Sequence, residues 1–421
     1  MREGSLATHL LIVGGGRETP ALARAAAPGL RTSVFCRAEV LPRVRDVGRN
    51  ARVVVFPDDG PEEEWVAEAR AIHARDPFDA LATYSEKDQD KLAAIGAALG
   101  LPAHRPETVR WVHDKVAMRE RLAATGVDDT RAIRVRDLAE ASAAADTLGF
   151  PLVCKPVRGV GSCGVSRVDG PRDLAVALAF LDRQAGELDS AEALLEPLHE
   201  GREYSVECLS ENGVHLRACI TAKVTEPRHF GELGHTLPAR LDAADEASID
   251  KTVHAVLDAL GVRDGVTHTE VILTDAGVRV VETHLRPAGD EIPYLLRRVR
   301  DVDLVDALAR QSVGLRVLDE VRERLVAAPD DRYAAIWYGV TGAVGQVVEV
   351  AGADEARARD GVVDVEVLCE PGDELARPDG PPVRTVGVQA VGASPEEALD
   401  RARAAAALVS VVLRTPAVPA A

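Results

Sequence analysis

The sequence predicts a chain of α/β and α+β class built from several subdomains, and three observations carry that prediction. Its 421 residues exceed the length over which one hydrophobic core keeps growing, so two to four subdomains are expected. Up to about residue 105, short apolar strands alternate with helical stretches, the pattern of an open α/β unit with a parallel sheet. From about 200 to 290, and again over about 315–421, strands separated by Gly, Pro and Asp turns dominate.

In the first unit, His9-Leu10-Leu11-Ile12-Val13 reads as a strand, followed by Gly14-Gly15-Gly16 and a helix over about 19–27. Strands follow at Ser33-Val34-Phe35, Val53-Val54-Val55-Phe56 and Ala80-Leu81-Ala82, with helices over 62–74 and 88–99. The glycine run is not Gly-x-Gly-x-x-Gly, and the second strand ends in Cys36-Arg37 rather than an acid, so a structural turn is favoured over a dinucleotide site. Arg37 as a 2′-phosphate acceptor keeps an NADP enzyme as an alternative. Past Pro102 a helix over about 107–125 carries Asp114-Lys115 and ends at Gly126. The tail closes with an Ala-rich helix over about 395–409, and there is no internal repeat.

Composition narrows the function classes. A formal charge of −18 and 3% aromatics argue against nucleic-acid or anionic-membrane surfaces. There is no run of eighteen apolar residues, and the strand after Met1-Arg2-Glu3-Gly4-Ser5 is too short for a secretory segment. Six irregularly spaced cysteines fit reduced thiols, so a cytoplasmic location is expected. Only six of the 50 basic residues are lysines: Lys87, Lys91, Lys115, Lys155, Lys223 and Lys251. A composition so biased to Arg enriches the remaining lysines for places that need a compact point charge.

Three blocks carry chemistry. In the first, an apolar strand delivers Lys155, and Gly159, Gly161, Ser162 and Gly164 follow, so that backbone N–H groups and a mobile charge can gather around an anion. A hairpin with an exposed lysine is the plainer reading. In the second, Glu196-Pro197-Leu198 precedes Gly201-Arg202-Glu203, placing carboxylates and turn backbone where an adenine amino group and ribose hydroxyls are accepted, or simply solvating a strand edge. In the third, two apolar strands flank Asp275-Ala276-Gly277, a hairpin signal. With Ala276 at the centre, Thr274 faces Val278 and Glu270 faces Glu282, their Cβ atoms about 5 Å apart. Opposed like charges destabilise a sheet unless a cation or proton lies between them, and such a pair suits Mg²⁺. His268, His284 and Arg286 extend the row; a shifted register would split the two acids.

These blocks, in this order and with Asp114-Lys115 upstream, resemble the ATP-grasp superfamily over about 9–410. The resemblance implies an N-terminal Rossmann-like domain (1–105), an ATP-grasp domain (106–314, with 125–200 as a mobile lid) and a C-terminal lobe (315–421) completing the core. It implies that Lys115 and Lys155 bind phosphates under the loop of Gly159, Gly161, Ser162 and Gly164. Glu196 and Leu198 would contact adenine, Glu203 the ribose, and Glu270 and Glu282 the Mg²⁺, with Arg286 steadying an acyl phosphate. The segment Phe230-Gly231-Glu232-Leu233-Gly234-His235-Thr236-Leu237-Pro238 is similar to one in L-amino-acid (dipeptide) ligases, which implies that Glu232 receives a substrate ammonium and His235 lines the same pocket. A pair formed by Glu232 and His235 alone is the plainer reading.

The family motif Glu-x-Asn-x-Arg reads here Glu282-Thr283-His284-Leu285-Arg286, so His284 would face either metal or substrate, and Mn²⁺ becomes an alternative to Mg²⁺. The implied activity is an ATP-dependent ligation of a carboxylate to an amine, on small molecules, by a homodimer. A purine-type or carboxylase-type ligase and a non-catalytic nucleotide-binding regulator are the alternatives.

Overall fold

A computed structural model describes residues 6–15, 18–159, 161–184, 192–375 and 380–414. Gly16, Val160 and the first and last residues of the chain lie outside them. Four strands open the chain: β1 (His9–Val13), β2 (Arg31–Arg37), β3 (Arg52–Phe56) and β4 (Ala80–Thr83). They form a parallel sheet in the order β3-β2-β1-β4. Such a sheet needs cover on both faces, which is why β1, apolar after His9, is buried throughout. Trp65, Ile72 and Ile95 cover one side and Ala23 and Ala27 the other.

The next four strands, β5 (Ile133–Val135), β6 (Leu152–Pro156), β7 (Ser166–Val168) and β8 (Ala193–Pro197), make an antiparallel sheet ordered β5-β8-β6-β7. Helices Leu138–Leu148 and Pro171–Arg183 pack on it through Ala141, Ala144, Leu174 and Leu181.

The remaining strands are β9 (Arg202–Glu211), β10 (Val214–Thr225), β11 (Glu232–Leu237), β12 (Gly265–Thr274), β13 (Gly277–His284), β14 (Tyr333–Thr341), β15 (Gly345–Ala351), β16 (Val362–Val367), β17 (Glu374–Leu375), β18 (Val383–Gly392) and β19 (Ser410–Arg414). Eight of them form one antiparallel sheet, β13-β12-β9-β10-β11-β14-β18-β16. Alternation along β9 sends Val206 and Cys208 to a core shared with helix Ala243–Ala259, and Leu209 to one shared with helices Ile292–Arg300 and Leu304–Ser312. β17, β15 and β19 form a small third sheet.

Several expectations are corrected. The helix expected over 107–125 is two, Pro106–His113 and Lys115–Ala124. Asp114 breaks it in an extended conformation, and its Oδ1 accepts the Val116 and Ala117 N–H groups at 3.0 Å as the N-cap of the second. Helices Ala243–Ala259 and Leu318–Ala327 interrupt stretches expected to be strands and turns. The last helix, Pro395–Ala406, is followed by β19.

Candidate active site

Glu270 and Glu282 stand directly opposite on β12 and β13, and so do His268 and His284. The turn is tighter than expected, because Thr274 faces Gly277 rather than Val278. A bulge between Glu270 and Val271 leaves Val281 unpaired and restores the offset. Since side chains alternate along a strand, that extra residue keeps both acids on one face.

Each acid is held by a histidine and a lysine. His268 Nε2 is 3.2 Å from Glu270 Oε1 and its Nδ1 is 2.8 Å from Glu207 Oε1. Burial opposes the imidazolium, but Glu207 and Glu270 outweigh it and push the His268 pKa up to about 10. Lys223, on β10, is 2.8 Å from Glu270 Oε1. Burial disfavours the charged form of Glu270, yet Lys223 and His268 hold it well below the usual carboxylate range. Across the hairpin, Glu282 Oε2 is 2.9 Å from Lys115 Nζ and Oε1 is 3.2 Å from His284 Nε2. The other ring nitrogen, His284 Nδ1, is 2.5 Å from Glu86 Oε1. Both ring nitrogens of His284 thus meet carboxylates in this arrangement, and the ring orients Glu282.

The positions of the two lysines expected at phosphates follow from local structure. Lys115 is the first residue of the helix that Asp114 caps, and its Nζ also donates to the Gly159 carbonyl at 2.8 Å. Lys155 extends from β6 and lies 2.6 Å from Glu196 Oε1. Arg119 donates to the same carboxylate at 3.0 and 3.2 Å. Burial opposes the charge on Glu196, but Arg119 and Lys155 lower its pKa to about 2. Burial lowers the Lys155 amine against the pull of Glu196.

Between the second sheet and β9–β13 lies a cleft of about 620 Å³. Lys115, Lys155, Gly159, Ser162, Glu196, Leu198, Glu203, Glu270 and Glu282 all line it. Among the described residues its lining omits Gly161, Gly164, Glu232, His235, His284 and Arg286. Ser162 (φ 55°), Gly161 and Gly164 take left-handed backbone, and Ser162 Oγ donates to the Phe230 carbonyl at 2.9 Å. The Leu198 N–H donates to Pro151 O at 3.0 Å, which leaves only its side chain and carbonyl for a ligand in this arrangement.

Lys223 joins three predicted subsites. Besides Glu270, its Nζ is 3.0 Å from Glu203 and 2.8 Å from Glu232. Glu232 lies on β11 with His235, but the two do not simply pair, being 3.9 Å apart. His235 Nε2 meets Asp290 Oδ2 at 2.9 Å, and Arg384 grips both Asp290 oxygens at 2.8 and 2.7 Å from above the Tyr338 ring. Glu232, His235 and Asp290 bring their donor atoms within 4.8 Å, with Arg384 supplying the compensating charge. Arg286 stands apart from this cluster: its Nε donates to Glu86 Oε2 at 2.6 Å. Sequence reasoning missed Lys223, Asp290, Arg384, Glu86 and Arg119. The scarcity of lysine was the one signal that pointed to Lys223.

At Gly14 and Gly15 the space a side chain would take is filled by the chain itself. A Cβ on Gly14 would lie 2.6 Å from Ser85 Cβ, and Arg37 is spent on Asp88, at 3.2 Å, and on Glu39. Among the described residues, neither the room nor the free arginine of an NADP site is present there.

The donor set fits a hard divalent ion. Two opposed carboxylates are charged, and Glu270 Oε2 accepts no hydrogen bond among the described residues.

Residues 148–293 match the ATP-grasp domain, and residues 338–414 match the L-amino acid ligase C-terminal domain 2. The chain is 31% identical over 288 residues to the uncharacterized protein y4rH of Sinorhizobium fredii, covering 66% of this chain and 56% of that one. It is 26% identical over 274 residues to alanine–anticapsin ligase of Bacillus subtilis, covering 59% and 57%. It thus spans a little over half the length of these curated relatives. The L-amino acid ligase of Bacillus licheniformis shares its fold, with a TM-score of 0.80 at 22% identity over 98% of this chain and 100% of that one. The chain thus carries an ATP-grasp domain match over residues 148–293 and shares the overall fold of that ligase.

Proposed function

We propose that the protein is an ATP-dependent carboxylate–amine ligase that joins an amino acid carboxylate to an amine through an acyl phosphate, releasing ADP and phosphate. The observation that carries this reading is the facing pair Glu270 and Glu282, ringed by Lys115, Lys155 and Lys223 beside a cleft of nucleotide size. The similarity to amino acid ligases supports the amino acid as substrate class.

Phosphoryl transfer needs charge neutralisation and in-line placement more than covalent help, and lysines, glycine backbone and carboxylates supply both. The substrate carboxylate attacks the γ-phosphorus of ATP and the β–γ bond breaks. The amine then displaces phosphate from the acyl carbon. Lys115 and Lys155 hold the phosphates, Glu196 and the Leu198 side chain border the adenine, and Glu203 accepts from the ribose. Glu270 and Glu282 would hold Mg²⁺, which neutralises charge on the phosphate oxygens. Arg286, fixed by Glu86, stabilises the developing oxyanion, while Glu232 takes the substrate ammonium and His235 stays oriented by Asp290. We assign residues 1–105, 106–314 and 315–421 as domains, with 125–200 closing as a lid to exclude water, and a cytoplasmic homodimer as the working form.

The test is ADP release with Mg-ATP and L-amino acids singly and in pairs, with product masses measured. ADP together with a mass equal to both substrates less water supports the reading; AMP and pyrophosphate would sink it.

A further inference from the structure

A second cavity, of about 260 Å³, adjoins the nucleotide cleft and shares Lys115, Gly159 and Glu282 with it. It lies where the turn after β4 meets β13, and its volume is below the roughly 300–1,000 Å³ of a drug-sized pocket, room for one small group rather than a cofactor. Most of its charges are already spent. Arg37 pairs with Asp88 and Glu39, Glu86 with His284 and Arg286, and Lys115 with Glu282. Lys91 is 3.6 Å from Asp90, and Asp58 accepts the Glu39 N–H at 2.8 Å.

Two cations remain. Lys87, exposed on the short turn Glu86–Asp88, and Arg158, exposed at the base of the glycine loop, have no ionic or hydrogen-bonding partner among the described residues. Lys87 is also one of only six lysines, three of which line this one cavity. A concave site with unspent cations from two separate elements, next to paired charges that cannot follow a ligand out, selects an anion.

We propose that this cavity receives a second anionic group, a carboxylate or a phosphate, carried by one of the two ligation substrates, and that Lys87 and Arg158 read it. The proposal rests on the ligase reading for the word substrate, but its test does not require turnover. Calorimetric titrations in the presence of Mg²⁺ and a non-hydrolysable ATP analogue compare L-glutamate and O-phospho-L-serine with L-glutamine and L-leucine. At least one acid binds tenfold or more tightly than L-glutamine, in keeping with a hydrogen-bonded charge pair, and the stronger of the two identifies the group. Lys87→Met and Arg158→Leu each abolish that preference, Lys87→Arg retains it, and affinity for the ATP analogue stays within twofold throughout. Equal affinity for L-glutamate, O-phospho-L-serine and L-glutamine, failure of both acids to bind, or weakened binding of the analogue in place of the acid would overturn the proposal. Acids that bind but release no ADP with any amine would sink ligation alone and leave the anion subsite standing.

Discussion

Lys223 holds Glu203, Glu232 and Glu270 within 3.0 Å, and no other cation of the described residues reaches all three. Burial works against its ammonium, but the three acids raise its pKa well above the ordinary value, so the charge is permanent at neutral pH. Burial, only partly offset by Lys223, raises the pKa of Glu203. Lys223→Met leaves three partly buried acids without their shared cation, a change of the class that costs about 3–5 kcal/mol. The melting temperature of the ligand-free variant is expected to fall by several degrees. Mg²⁺ is expected to raise it more than it raises that of the unchanged protein, because a divalent ion at Glu270 replaces the lost charge. Differential scanning calorimetry with and without Mg²⁺ checks this, and equal melting temperatures would remove Lys223 from the charge balance.

At the scale of elements, the split between helices Pro106–His113 and Lys115–Ala124 decides where Lys115 points. Asp114→Ala removes the single oxygen that accepts two N–H groups and is expected to cost about 1 kcal/mol. It also frees the first turn, so the KM for ATP rises while that for the amine is unchanged; steady-state kinetics beside a melting curve separates the two effects. The hairpin of β12 and β13 was legible beforehand because its polar residues fall in one alternating row, and the pairing of Glu270 with Glu282 follows from that row. The bulge at Val281 was not, since nothing in an apolar Val-Val pair marks which residue is left unpaired. Asp114 was read as mid-helix because the surrounding periodicity continues across it, and only its capping geometry reveals the break. Lys223 and Arg384 sit on strands whose partners are far away in sequence, and no local pattern records such a meeting.

At the scale of the molecule, the site draws together stretches that lie far apart in the chain. Glu86 comes from the turn after β4, the hairpin acids from β12 and β13, and Arg384 from β18. Glu86 has burial against its charge, but His284 and Arg286 lower its pKa to about 2, so it stays an anion and ties the first unit to the row at the end of β13. Glu86→Gln is expected to lower kcat tenfold or more with the KM for ATP within twofold, as befits a group that positions Arg286 rather than the nucleotide. A change confined to the KM for ATP in the ADP-release assay would contradict that role. The placement of lysines has a separate use. Five of the six line the two cavities, and Lys251 alone lies exposed on a helix away from them. An amine-acylating reagent therefore footprints the smaller cavity with little background: Lys115, Lys155 and Lys223 are buried in ion pairs and react little, a ligand in the smaller cavity protects the peptides of Lys87 and Lys91, and Lys251 reports in the same spectrum how much reagent was delivered.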